Sequence, residues 1–220
     1  MPTAQAEGVV NSDIAVEAFD EYLSYLQYMP PVAQTGQMDI FVIQDLYMQG
    51  RVGAIIDWVG LGEPVLDPSA ATVHDKSAFA PAPGTRQADG SIDRTGNIGG
   101  QPFVLTTWNS DEVVNEALNV VKWWVSPETQ LEATANGGQS GLMSVMAMPE
   151  YNDLRPWNRA HVEMIDWQRD VWHIPEFFEM LTQQQEEFDK AITGQISAKE
   201  ALDAVAEFQQ ELLEDIGFIE

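Results

Sequence analysis

Three helix starts are written into this chain as serine caps, and they fix where several of its long elements can begin. Ser12, Ser126 and Ser197 each stand where a side-chain hydroxyl can accept from the free amides of a first helical turn. Ser12 opens a helix with Val16, Phe19, Leu23 and Leu26 on one face and Pro30-Pro31 as its stop. Asn109-Ser110 leads into two acidic residues, suited to the positive end of a helix, and then Val113, Ala117, Val121 and Trp124 fall on one stripe. Ser126-Pro127 restarts the chain with proline at the first helical position, and Gly137-Gly138 ends that helix. Ser197-Ala-Lys-Glu200 is a capping box: Ser197 bonds the amide at Glu200 while Glu200 reaches back. The helix it opens carries Leu202, Val205, Phe208 and Leu212.

Two further helices are expected, over residues 40–48 with Gly50 closing it, and after Pro175 with Phe178, Leu181 and Phe188 near the buried side and Gly194 past the last turn. Residues 52–59 form a mostly apolar run, the pattern of a strand covered on both faces. Residues 103–108 have the β-branched and aromatic content of a second strand. Between them, residues 60–100 are rich in Gly, Pro, Ala and Asp and predict loops. Residues 139–172 mix Pro, Asn, Asp and aromatics and resolve into no definite element.

The formal charge is −25, and its acids are spread along the chain, so phosphate backbones and anionic lipid would be repelled. A solvated, solubilising surface is the plain reading of that field. With no cysteine, disulfides, thiolate catalysis and thiolate metal sites are excluded together. No run approaches the roughly 18–20 apolar residues of a membrane-spanning helix. The first residues lack the basic and apolar regions of a signal peptide, so any export signal is expected on a part not in this sequence.

Catalytic motifs do not assemble. His74, His161 and His173 stand near no Gly-x-Ser-x-Gly elbow, and no two of them fall within a helical turn of each other. Gly96-Asn-Ile-Gly99-Gly100 has neither the ending of a phosphate loop nor the spacing of a dinucleotide turn. Asp57-Trp58 is more informative, because it puts a carboxylate and an indole where an apolar run ends, and strand ends line ligand crevices in α/β folds. The competing reading buries Trp58 in the core and leaves Asp57 to cap the next turn. Gly99-Gly100 either lets backbone amides approach a ligand or makes a tight turn. Trp157, in irregular chain beside Arg155, is a candidate sugar-stacking face; Arg155 stacked on it with no ligand role is the alternative.

Four landmarks in order carry a resemblance: Gly50-Arg-Val-Gly-Ala-Ile-Ile-Asp-Trp58, then Gly99-Gly100-Gln101, then Trp123-Trp124-Val-Ser-Pro-Glu-Thr-Gln130, then Gly194-Gln-Ile-Ser-Ala-Lys-Glu-Ala-Leu202. Together, over residues 10–213, they resemble the later half of the extracellular solute-binding proteins of sugar-type ABC transporters, the family that includes maltose-binding protein. The resemblance implies a partial, helix-rich α/β fold of the type II periplasmic-binding-protein kind. Residues 1–100 would be part of one lobe with a loop-rich connection, 101–136 the crossing strand and helices of the other, and 137–220 the return segment and C-terminal helices.

By the same resemblance the chain is a non-catalytic receptor that captures a small polar solute, a sugar or polyol, between lobes and delivers it to the transmembrane permease subunits of an importer, outside the cytoplasm. Neither a cofactor, a metal nor a nucleic-acid partner is implied. The ligand-binding set would be Asp57, Trp58, Gly99, Gly100, Gln101, Gln139, Ser140, Arg155 and Trp157. Two departures stand out. Where the family often shows a proline and then a basic residue after the glycine pair, this chain has Gly141 and Met143, and its sugar-stacking aromatics correspond here to Leu181 and Thr182. A maltodextrin-like ligand is therefore disfavoured. The expected fold retains elements of both lobes and completes neither, so either self-association protects an incomplete sheet or the natural chain is longer. An acidic glycoside hydrolase with paired carboxylates, or a non-catalytic interaction domain, are the alternative readings.

Overall fold

The computed structural model describes residues 5–100 and 102–218. Its elements run α1 Asp13–Ser24, α2 Ile40–Met48, α3 Gly62–Leu66, β1 Gly84–Arg86, β2 Ile92–Arg94, β3 Gly96–Asn97, α4 Asp111–Trp124, α5 Pro127–Ala135, α6 Met143–Met146, α7 Tyr151–Leu154, α8 Asn158–Met164, β4 Gln168–Arg169, α9 Phe177–Ile192 and α10 Ala198–Asp215. The chain divides into two units, Met1–Ile43 with Trp172–Glu220, and Gln44–Val171. The first and last helices fall in the same unit because they share one core.

In the first unit α1 and α10 start as their caps dictate, whereas α9 starts at Phe177 with no capping side chain. Ser12 Oγ accepts from Ala15 N, and Ser197 and Glu200 form both halves of the capping box, which satisfies the amides of Ser197 and Glu200 at the start of α10. α10 buries Ala198, Ala201, Leu202, Val205, Ala206, Gln209 and Leu213 at three- and four-residue spacing, the stripe that lies against α9 and α1. Phe19 of α1 and Phe188 of α9 meet at 4.4 Å between ring centroids over this face, with Val16, Leu23 and Ile196 around them. Two polar contacts bind the preceding chain to α10: Asn11 Nδ2 donates to Asp203 Oδ1 at 2.9 Å and Ala6 N to Gln210 Oε1 at 3.1 Å. α1 ends earlier than the proline pair predicts, at Ser24, and continues as a tighter turn over Tyr25–Tyr28. Phe178 is 74% exposed, contrary to expectation; Met180 and Ala191 supply the buried side of α9 instead.

The second unit is built from shorter pieces. α4 and α5 start at Ser110 and Ser126, whose hydroxyls accept from Val113 N and Thr129 N. Residues 139–172, undefined by pattern, form α6, α7 and α8 around a core of Val145, Met146 and Tyr151 with Leu131, Leu142, Val162 and Ile165 against it. β1 pairs antiparallel with β2, and β3 parallel with β4. Neither predicted strand forms. Residues 52–59 and 103–108 carry strand-forming side chains, but a strand needs a hydrogen-bonded neighbour, and among the described residues none lies beside them. Ile56, Phe103 and Val104 are exposed in consequence, and Trp108 is 84% exposed.

Leu202 is buried where α10 faces α1 and α9. Leu202→Ala is expected to cost about 2–5 kcal/mol, the range for a leucine cavity in a core, read from the urea midpoint of the first unit's helical signal.

Candidate functional site

Extended chain runs to Asp57 and turns at Trp58 into the tight helical turn Val59–Leu61, which continues directly as α3. Trp58 adopts φ −64° and ψ 145° ahead of that turn, and Leu61 N donates to its carbonyl at 3.0 Å. Its indole is 70% exposed, so the core placement weighed for it is not the one found. Asp57 Oδ1 accepts from the Trp58 amide at 2.6 Å and from Gln44 Nε2 at 3.4 Å. Its Oδ2 is covered by protein and has no hydrogen-bond partner. The carboxylate is thus fixed by one oxygen and keeps a covered, unmatched acceptor, and the exposed indole belongs to the next residue along the chain.

α3 is held in place by residues from far along the chain. Gly62 lies flat against the Trp157 indole, so closely that a Cβ there would come within 2.3 Å of the ring. Trp157 is only 2% exposed, with Phe79 edge-on at 5.5 Å and the Arg155 guanidinium 5.8 Å above its ring. Arg155 Nη2 stands 2.9 Å from Glu63 Oε1, while its Nε donates to Thr134 O at 3.4 Å. Glu63 in turn lies over Gly137, whose φ of +95° and contact with the Glu63 side chain both require glycine.

These positions change the expected ligand set. Trp157 is not an exposed stacking face: Gly62 and Phe79 occupy its surroundings, and Arg155 is stacked on it, the alternative arrangement considered from sequence. Ser140 is buried, its hydroxyl accepting from Leu142 N at 3.1 Å, and half-buried Gln139 donates to Gly137 O at 3.0 Å. Both serve their own loop. Gly99 and Gly100 are exposed, neither is left-handed, and a Cβ would meet nothing at Gly99 and only Ile98 at 3.7 Å at Gly100. Their backbone is open to approach. Gln101 lies outside the described residues.

Gly62 and Glu63 escaped the sequence reading. The Gly-Glu-Pro run sits in a stretch whose composition reads as loop, and the partners that give it meaning are distant in sequence. Among the described residues no group of three or more His, Cys, Asp or Glu converges as a metal cluster would. In the first unit, a shallow groove of about 550 Å³ is lined by Phe178, Thr182 and Phe208 with Glu179, Gln183 and Glu186. It places an aromatic one turn from Thr182, on the exposed side of α9.

No family model matches the chain, and no curated protein does. Among solved structures, the chain is similar to a maltose-bound MalE3 of T. maritima, with TM-score 0.78 and 18% identity over 93% of this chain and 52% of that one. It is also similar to an ABC transporter solute-binding protein from Agrobacterium radiobacter in complex with ribitol, with TM-score 0.72 and 19% identity over 93% of this chain and 51% of that one. The chain therefore carries part of the helix-rich α/β fold of these two solute-binding structures, and it spans about half the length of the structures it matches.

The Gly62–Trp157 contact leaves no room for a methyl group. Gly62→Ala is expected to destabilise the second unit by about 1–3 kcal/mol through overpacking, measured by denaturant unfolding. A second expectation concerns acid. His161 in α8 has its Nδ1 covered and unpartnered, and burial holds its pKa below the ordinary 6.5. The unfolded chain then binds the proton more readily, so the stability from neutral His161 is present above pH 6.5 and is lost as pH falls toward the folded value. His161→Gln should flatten the loss of stability between about pH 7 and 5 relative to the parent chain.

Proposed function

We propose that this chain is the solute-capturing component of an ABC importer, that it is not an enzyme, and that its solute is a small polyhydroxylated molecule, a sugar or polyol. The observation that carries the reading is Trp58: an open indole next to a carboxylate with an unmatched acceptor, on a fold similar to proteins whose structures hold maltose and ribitol. Such a pairing suits the chemistry. The C–H edges of a sugar or polyol pack on the indole, and a hydroxyl donates to Asp57. That hydroxyl would offset the desolvation of Oδ2, which no protein donor matches. Because the atom is covered, the contact requires the Asp57–Trp58 segment to shift as the solute binds. The open backbone of Gly99-Gly100 and the side chain of Gln101 are the further contacts proposed, with Gln139, Ser140, Arg155 and Trp157 supporting the site rather than lining it.

Delivery to transmembrane permease subunits and a location outside the cytoplasm belong to the same proposal, supported by the fold likeness. The uniformly acidic surface fits a neutral solute better than an anionic one.

Calorimetry of the chain against ribitol, maltose and a wider sugar and polyol panel tests the reading. Binding is expected, with Trp58→Ala weakening it by about tenfold through loss of ring contact. Binding confined to amino acids or peptides would overturn the solute class.

A further inference from the structure

Trp58 is held by its own neighbours only through its backbone, whose amide donates to Asp57 Oδ1 and whose carbonyl accepts from Leu61 N. The chain before it is extended with no strand beside it, its ring touches little, and the helix that follows is a single short stretch that would not be stable alone. Its direction is therefore set by whatever fixes the turn Val59–Leu61 and α3. Leu61 and Val65 are buried and give this piece a floor, and the remaining restraint comes through residues 62 and 63.

We infer that Glu63, Arg155 and Trp157 form a clamp that positions Trp58 for its solute, with Arg155 as the central positioning residue; this rests on the proposed solute-binding role. Arg155 is held at three points at once: the Glu63 carboxylate at 2.9 Å, the Thr134 carbonyl at 3.4 Å and the Trp157 face at 5.8 Å. The carbonyl belongs to α5, and the indole it covers presses on Gly62. One side chain thereby ties the start of α3 to the end of α5 and to the loop before α8. None of the three clamp residues need touch the solute. The ion pair is about one-third open to water, with side-chain exposures of 26% and 41%, so its Coulomb strength is modest and its value is directional. Arginine suits the place because its planar head can stack on an indole and bond at its edge together, which lysine cannot do.

The test reads both the segment and the solute. The reporters are the amides of Leu61 and Gly62, bonded to the carbonyls of Trp58 and Val59. In the ligand-free chain, Arg155→Lys should raise their hydrogen exchange by about tenfold as the Thr134 hydrogen bond, the fixed ion-pair geometry and the stacking go, and Glu63→Gln by roughly two- to fivefold. The amides of α4 and α10 should be unchanged. Ribitol and maltose affinity should fall in step in both variants, and in a Trp58→Ala background Arg155→Lys should cause no further loss. Unchanged exchange at Leu61 and Gly62 overturns the clamp, as does a rise spread evenly over residues 44–171, which marks a merely structural role. An Arg155→Lys affinity loss that persists without Trp58 overturns it too. If the parent chain binds no sugar or polyol, the proposed function fails, and the ligand-free exchange still decides the clamp.

Discussion

The flat contact between Gly62 and Trp157 is the constraint on which the second unit turns. Several of its elements are short: α3, α6 and α7 run to five or four residues. Helices of that length have too few internal bonds to offset the ordering of their first turn, so they exist only where side chains from elsewhere hold them. Trp157 does this for α3, and glycine is what lets the indole reach the backbone. Gly137 plays the matching part for Glu63. Two glycines, an indole and an ion pair thus make one joint, in which α3, the end of α5 and the loop before α8 cannot move independently.

The first unit solves the same problem in the opposite way. α9 and α10 have 16 and 18 residues, enough for regular apolar stripes, and their ends are satisfied locally by the Ser197–Glu200 box and by Gly194 in the left-handed conformation. Burial of aligned stripes holds it together, with no need of a special close approach. Its stability is distributed over many side chains, whereas that of the second unit passes through a few.

This contrast explains what could be seen in the sequence. Caps are local: Ser12, Ser110, Ser126 and Ser197 each act within three residues, so every one of these helices begins where its serine stands. Strands are not local, and residues 52–59 and 103–108 have the composition without the neighbour. Trp157 was legible as an aromatic in irregular chain, but whether it faces solvent depends on Gly62 and Phe79, which no spacing rule connects to it. The short helices α6 to α8 were invisible for the same reason, since their apolar residues point into a core assembled from separate segments instead of repeating along one face. Phe178 failed in the other direction: it keeps helical period with Leu181, yet Met180 holds the buried side.

Exposed apolar residues in the second unit have two different physical origins, and Asp57 separates them. Ile56, Phe103 and Val104 are open because strand-forming chain has nothing beside it; their side chains are those a covered strand would bury. Trp58 is different. Its amide is taken by Asp57 Oδ1 at 2.6 Å, and its carbonyl by Leu61 N at 3.0 Å, so neither group is left over for a ladder. An added strand could cover Ile56, but it would find no donor or acceptor at the next turn. The indole's exposure therefore follows from the geometry of Asp57 and the turn itself, and that separates Trp58 from the bare strand chain that precedes it.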